Sequence, residues 1–120
     1  MTPLKVFQKL FEARDVIHML HLNTTSYSEH KALNEFYDSW LDLADSFIET
    51  YQGKYGRITG TITIDSSTDL KVEPYLQQLM KYVNEDFTVI ITPLVDSDLE
   101  NIIADMKQLI NHTFYLLTLK

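Results

Sequence analysis

The stretch SYSEHKALNEFYDSWLDLADSFIETY, residues 26–51, predicts one long amphipathic helix around which the rest of the chain can be placed. Its apolar residues recur at steps of three and four, which is the period of one helical face. Ser26 or Ser28 can cap the start of this helix, and Gly53 is the residue expected just after its end. The apolar face consists of Leu33, Phe36, Tyr37, Trp40, Leu43, Ala44, Phe47, Ile48 and Tyr51.

A second face of the same helix is acidic and begins with a histidine. Residues 26–51 contain six acids and a single Lys or Arg, Lys31. A helix that needs charge only for solubility usually mixes the signs, because opposite charges four residues apart attract each other. The face is therefore a candidate binding surface, and a solvated charged surface is the plainer alternative. It is formed by His30, Asn34, Asp38, Asp42, Asp45 and Glu49.

The composition indicates one folded domain and excludes several kinds of function. The 120 residues suffice for a single core, so we expect one domain over residues 1–120. Because the chain lacks cysteine, disulfides and thiolate metal sites are excluded. A net charge of −7 disfavours nucleic-acid binding, which depends on Lys and Arg. No apolar run reaches the roughly 18 residues of a membrane span, so we expect a cytoplasmic protein without a membrane or nucleic-acid partner.

A helix and a long connection are predicted on the two sides of the central helix. Thr2 and Pro3 form a start signal, and the first helix is expected to continue to about Leu22. Residues 53–69 contain all three glycines and an alternating Ile and Thr pattern. We expect a long connection there with an extended or short-strand segment.

Two more helices are predicted in the second half of the chain. One begins near Pro74 and either continues until Pro93 or gives way to a strand at residues 87–91. The other begins at a capping box, residues 97–100, and lasts to the C-terminus. The prediction is an all-α, ferritin-like four-helix bundle whose long connection lets the second and third helices run parallel.

Five side chains on the first two helices are candidate metal ligands. His18 and His21 are three residues apart and Asp45 and Glu49 are four apart, so each pair can offer two ligands to one ion. His30 lies fifteen residues before Asp45, roughly 20 Å along the helix at ~1.5 Å per residue. One chain therefore cannot bring His30 and Glu49 to the same ion. Two antiparallel copies related by a two-fold axis can, so a metal site here predicts a homodimer.

At these residues the chain resembles the Dps-type mini-ferritins of the ferritin-like superfamily. The resemblance rests on the sequence His-Lys-Ala-Leu at 30–33, on Asp45-x-x-x-Glu49, and on the steps of 12, 15 and 4 residues from His18 to His30, Asp45 and Glu49. Residues 12–55 are more similar still to a small uncharacterised ferritin-like group common in bacteriophage genomes. The first-helix signature of the Dps-type proteins is His-Trp-Asn, whereas this chain has His-Leu-Asn at residues 21–23. Asn34 stands where that family has an additional acidic ligand.

The resemblance implies an iron site shared by two chains. His18 or His21, together with His30, would supply nitrogen ligands, and Asp45 and Glu49 of the two-fold mate would supply oxygens. It also implies a homodimer or a larger homo-oligomer and, if the site is catalytic, oxidation of Fe(II) by peroxide or oxygen (a ferroxidase).

A second hypothesis is a non-enzymatic structural or interaction protein, encoded by a phage and acting in the host cytoplasm. It would keep the bundle without metal chemistry and bind a host protein through its acidic face. Asn34 and the irregular histidine spacing favour this alternative. Arg14 offers a further structural role for the acids, because it could neutralise carboxylates of the second helix.

Overall fold

The computed structural model describes residues 1–64 and 69–119, and their regular structure is entirely helical. The helices are α1 (Pro3–Asn23), α2 (Tyr27–Tyr55), α3 (Val72–Lys81) and α4 (Ser97–Leu117). A π-helical turn (Tyr82–Asp86) and a 3-10 turn (Phe87–Ile90) continue α3. The all-α prediction is therefore confirmed for the described residues.

The four helices pack around one core in the cyclic order α1, α2, α4, α3. Helix α2 packs against α1 and α4, and α3 packs against α4 and α1. Leu20 of α1, Glu29 of α2, Val72 of α3 and Leu117 of α4 line one recess, so α1 and α4 end where α2 and α3 begin. Helices α2 and α3 therefore run parallel, as predicted, and the connection between them leads from one end of the bundle to the other.

The core is built from the predicted apolar face of α2 and the facing sides of the other helices. Phe36, Trp40 and Phe47 are fully buried, as the spacing predicted. The indole Nε1–H of Trp40 donates a hydrogen bond to the carbonyl oxygen of Leu10 at 2.9 Å. Because this bond is buried, it fixes α2 against α1 as well as satisfying the indole.

Helix α2 extends three residues further than predicted. It continues through Gly53 to Tyr55, and Gly56, with φ +90°, is the residue that follows its end. Gly53 therefore lies inside the helix, and the prediction that it ends the helix was wrong. The extra turn is held by contacts of Lys54 and Tyr55 with residues before α4.

Two boundaries in the second half also differ from the prediction. The capping box at residues 97–100 does not form, because the N-cap residue is Asp96 instead of Ser97 and the amide of Glu100 donates to the carbonyl oxygen of Asp96 at 2.9 Å. The strand alternative at residues 87–91 was wrong. The 3-10 turn there keeps Phe87 buried in line with Leu79 and Val83, so the chain follows the helical period of its apolar residues.

The connection after α2 follows the surface of α1. The amide of Ile58 donates to Gln52 Oε1, and the amide of Thr63 donates to Gln8 Oε1. No strand forms in residues 57–64, so the short-strand alternative was wrong for that part. Residues 65–68 of the predicted connection lie outside the described residues.

Candidate functional site

The end of α1 and the start of α2 bring the predicted histidines together. Only residues 24–26 separate the two helices, and the hydroxyl of Ser26 accepts a hydrogen bond from the amide of Glu29 at 3.3 Å, which caps α2. This tight turn places the last turn of α1 against the first turn of α2. His21 and His30, nine residues apart in sequence, therefore face each other.

His21 and His30 form a reciprocal pair. The Nδ1 atom of His21 lies 2.7 Å from the carbonyl oxygen of His30, and Nδ1 of His30 lies 2.8 Å from the carbonyl oxygen of His21. The two rings stack with their centroids 3.7 Å apart. A carbonyl oxygen only accepts, so each Nδ1 carries the proton that it donates. In the neutral ring each Nε2 then keeps a free lone pair.

His18 and Tyr37 extend this pair into a four-ring cluster. The His18 ring stacks on Tyr37 at 4.5 Å and lies 6.2 Å from the His21 ring, while Tyr37 lies 5.4 Å from His21. We call His18, His21, His30 and Tyr37 the histidine cluster. The sequence assigned Tyr37 to the apolar face only. Tyr37 follows His30 by seven residues, which is about two turns, so the two side chains share one face of α2. This spacing could have predicted that Tyr37 lies near the histidines.

The predicted acidic ligands lie away from the histidine cluster within one chain. Asp45 and Glu49 are exposed on α2, as are Asp38 and Asp42. In the described part of the chain, no three His, Asp or Glu side chains are close enough together to hold a metal ion. The histidines thus meet in one chain, whereas the carboxylates do not join them there.

Arg14 bonds within its own helix instead of with the acids of α2. Its Nη1 atom lies 3.2 Å from Oδ1 of Asp15. We suggested that Arg14 could form ion pairs with carboxylates of α2. Among the described residues Arg14 pairs with Asp15 of its own helix instead.

A second polar cluster joins the end of α2 to the start of α4, and no pattern in the sequence predicted it. Asp96 is fully buried. Its Oδ1 accepts from Lys54 Nζ at 2.8 Å and from the Tyr55 hydroxyl at 2.5 Å, and its Oδ2 accepts from the amide of Thr92 at 2.8 Å. Lys54 also donates to Asp98 Oδ1 at 2.9 Å. We call Lys54, Tyr55, Thr92, Asp96 and Asp98 the Asp96 cluster.

The charges of the Asp96 cluster stabilise one another. The Lys54 ammonium, then the Thr92 amide and the Tyr55 hydroxyl, lower the pKa of Asp96 to about 2. Hydrogen bonds to Asp96 and Asp98 raise the pKa of Lys54, and the bond to Asp96 raises the pKa of Tyr55. The polar groups of the cluster bond to one another. We therefore interpret the cluster as a structural link between the end of α2 and the start of α4.

Comparison with known proteins identifies one family. The family of unknown function DUF5856 matches residues 21–117, a range that includes His21, His30, Asp45 and Glu49. No curated protein and no solved structure matches the chain. In residues 1–64 and 69–119, no helix has the length and apolar content needed to cross a membrane.

Proposed function

We propose that this chain, which belongs to the DUF5856 family, is a ferritin-like, Dps-related protein that binds iron or another divalent metal at a two-fold homodimer interface. The observation that carries the proposal is the pairing of His21 and His30. Both rings donate Nδ1–H to a backbone carbonyl, the arrangement in which a histidine commonly ligates a metal through Nε2.

The bundle topology supports the proposal. Helices α2 and α3 run parallel and are joined by a long connection from one end of the molecule to the other. Ferritin-like folds are four-helix bundles with one such long crossover, and they build metal sites from side chains on facing helices.

The exposed carboxylates supply the other half of the proposed site. Asp45 and Glu49 are one helical turn apart and both exposed, so they are free to meet a second chain. In an antiparallel pair of α2 helices, His30 near the start of one helix lies beside Asp45 and Glu49 near the end of the other. Imidazole nitrogen together with carboxylate oxygen is a donor set that suits iron.

Each residue has a defined task in this proposal. The stacked rings hold the Nε2 lone pairs in place, and Asp45 and Glu49 of the second chain offset the positive charge of the ion. If the protein is a ferroxidase, Fe(II) is its substrate and oxygen or peroxide its oxidant. The metal then supplies the redox chemistry, and the chain supplies binding geometry and charge.

Anaerobic titration with Fe(II), followed by absorbance, tests the proposal. We expect saturable binding by the wild-type protein and loss of binding in Asp45→Ala and Glu49→Ala. Asp38→Ala is the matched control, because Asp38 is an exposed acid on the same helix. Failure of the wild-type protein to bind Fe(II) above background, or equal binding by all four proteins, would refute the metal site.

The reciprocal histidine bonds also favour a second candidate, a phage-encoded structural or interaction protein without metal chemistry. In that case His21 and His30 serve only to join α1 to α2, and the acidic face of α2 binds a basic surface of a host protein. Metal addition separates the two candidates. A ligand at 100 times its dissociation constant stabilises the fold by about 2.7 kcal/mol, whereas a purely structural pair predicts an unchanged unfolding midpoint.

A further inference from the structure

His18 is the one member of the histidine cluster whose imidazole makes no hydrogen bond to another described residue. The Nδ1 atoms of His21 and His30 each donate to a backbone carbonyl. The His18 ring makes ring contacts instead. It stacks on Tyr37 with the centroids 4.5 Å apart and the planes 22° apart, and it lies 6.2 Å from the His21 ring. Within the described part of the chain, both nitrogens of His18 are therefore free to accept a ligand or a proton.

The position of His18 places its imidazole at the border of the proposed metal site. His18 lies three residues before His21, so the two side chains share one face of α1. The side chain is only half-buried, which leaves it open to an ion from solvent. His18 can therefore add a nitrogen ligand next to that of His21.

A histidine on a metal site needs a fixed ring orientation. The torsion that rotates an imidazole is broad, and metal-ligating histidines almost always have the other ring nitrogen held by a hydrogen bond. His21 and His30 meet this condition through their backbone acceptors. For His18 the stack on Tyr37 takes the place of that bond, because rotation of the imidazole would tilt it out of the stack.

The aromatic ring of Tyr37 is the part of the side chain that contacts the histidines. Tyr37 is partly buried and packs against the core, so its own ring is held by α2 and its neighbours. Besides its stack on His18, it lies 5.4 Å from the His21 ring with the planes at 60°. A phenylalanine at this position could make the same contacts, whereas a leucine could not stack.

We propose that Tyr37 is a positioning residue of the metal site, whose ring orients the His18 imidazole as a further nitrogen ligand. This inference rests on the proposed metal function and deepens it, because it adds one ligand and the residue that holds the ligand in place. Tyr37 acts through His18 and does not itself bind the ion.

Anaerobic Fe(II) titration of variants at position 37 tests the proposal. Tyr37→Phe keeps the ring, so we expect the affinity of the wild type. Tyr37→Leu removes the stack and should raise the dissociation constant roughly two- to tenfold, the range that an aromatic pair contributes. Tyr82→Leu is the matched control, because Tyr82 is also partly buried against the core and its ring contacts Lys9 instead of a histidine.

A double-mutant cycle separates positioning from a general loosening of the fold. His18→Gln removes the ligand itself and should weaken Fe(II) binding. Because Tyr37 acts through His18, the addition of Tyr37→Leu to His18→Gln should weaken binding no further. A substitution that only loosens the fold would instead lower the affinity by the same factor in both backgrounds.

Side-chain NMR spectra of the metal-free proteins provide a readout of the stack that does not depend on metal. The ring current of Tyr37 should displace the His18 ring-proton signals. We expect this displacement in the wild type and in Tyr37→Phe, and its loss in Tyr37→Leu.

Four results would overturn the proposal while leaving the metal site intact. They are wild-type affinity in Tyr37→Leu, an equal loss in Tyr37→Phe, a Tyr37→Leu effect that persists without His18, and unchanged His18 signals in Tyr37→Leu. An equal loss in Tyr37→Phe would assign the role to the hydroxyl. A wild-type protein that binds no Fe(II) would refute the metal site itself and this inference with it, so the two failures are distinguishable.

Discussion

Asp96 illustrates how a buried charge is stabilised by residues distant in sequence. Its carboxylate has no contact with solvent, yet it accepts hydrogen bonds from Lys54, Tyr55 and Thr92. These bonds favour the ionised form and lower the pKa of Asp96 from 3.8 to about 2. A carboxyl group with a depressed pKa stabilises the fold above its unfolded pKa, and this contribution is lost as the pH falls through the folded pKa.

Asp96→Asn should therefore lower the stability of the protein in a pH-dependent way. Asparagine keeps an acceptor for Thr92 but loses the charge that pairs with Lys54. We expect a lower urea midpoint than wild type at pH 7, and a difference that shrinks between about pH 4 and pH 2 as wild-type Asp96 is protonated. Asp105→Asn, at an exposed acid of α4, is the control. A wild-type advantage of the same size at every pH would contradict the assignment.

The buried hydrogen bond between Trp40 and Leu10 leads to a second prediction about a single residue. Trp40→Phe retains an aromatic ring in the core but removes the Nε1–H that bonds the carbonyl of Leu10. Loss of one partner of a buried hydrogen bond costs about 1–3 kcal/mol, so we expect a destabilisation in that range by urea denaturation. Tyr115→Phe, at an exposed residue, should change stability little. A cost of Trp40→Phe as small as that of the control would mean that the bond contributes nothing.

The two glycines at the end of α2 have opposite roles, although the sequence does not distinguish them. Gly53 lies inside the helix and a Cβ there meets nothing within 4 Å, whereas Gly56 has φ +90°. Alanine is favoured over glycine inside a helix by about 0.8–1.0 kcal/mol. At Gly56, where φ is 90° and ψ is 164°, alanine is disfavoured by roughly 1–3 kcal/mol, because this conformation is essentially restricted to glycine. We expect Gly53→Ala to stabilise the protein and Gly56→Ala to destabilise it in thermal unfolding. Effects of the same sign at both positions would contradict the position of the helix end.

The elements that the sequence predicted well are those decided by local pattern. The apolar periodicity of residues 33–51 identified α2 and its buried face, because burial of one face repeats every three or four residues. The end of α2 was misplaced because Lys54 and Tyr55 are held by Asp96, more than forty residues later. The N-cap of α4 is Asp96 instead of the predicted Ser97, and the side chain of Asp96 bonds Lys54 and Tyr55 of α2 instead of capping α4. Interactions between distant residues leave no periodic signal.

The histidines of the candidate site could also be predicted only in part from the sequence. Their presence and spacing could be read from the sequence, and so could the fifteen residues that separate His30 from Asp45. The reciprocal Nδ1 bonds depend on the three-residue turn between α1 and α2, whose geometry the sequence did not specify. Which nitrogen remains free for a metal therefore required the structure.

At the scale of the whole molecule, the position of the one long connection decided the topology. A connection of that length can lead from one end of a bundle to the other, which makes α2 and α3 parallel. Exposure of Leu94 had no sequence signal, because its neighbours Pro93 and Val95 are also apolar and such a stretch is usually expected to be buried.

The proposed sharing of a metal site between two chains predicts that two different variants complement each other when they are mixed. A dimer of His30→Gln chains lacks the histidine in both sites, and a dimer of Asp45→Ala chains lacks the carboxylate in both. In a mixed dimer one site carries both substitutions and the other carries neither. Random assortment makes about half of the dimers mixed, so co-refolded variants should recover about one quarter of the wild-type Fe(II) capacity.

The measurement is anaerobic Fe(II) binding per chain, with each variant alone as the control. Glutamine keeps a polar side chain at position 30, and Asp45 is exposed, so both variants should fold well enough to assort. Binding by Asp45→Ala alone would place the oxygen ligands elsewhere. A mixture that binds no better than its components would exclude a site built from His30 of one chain and Asp45 of another, because complementary halves of a shared site must regain function when they meet.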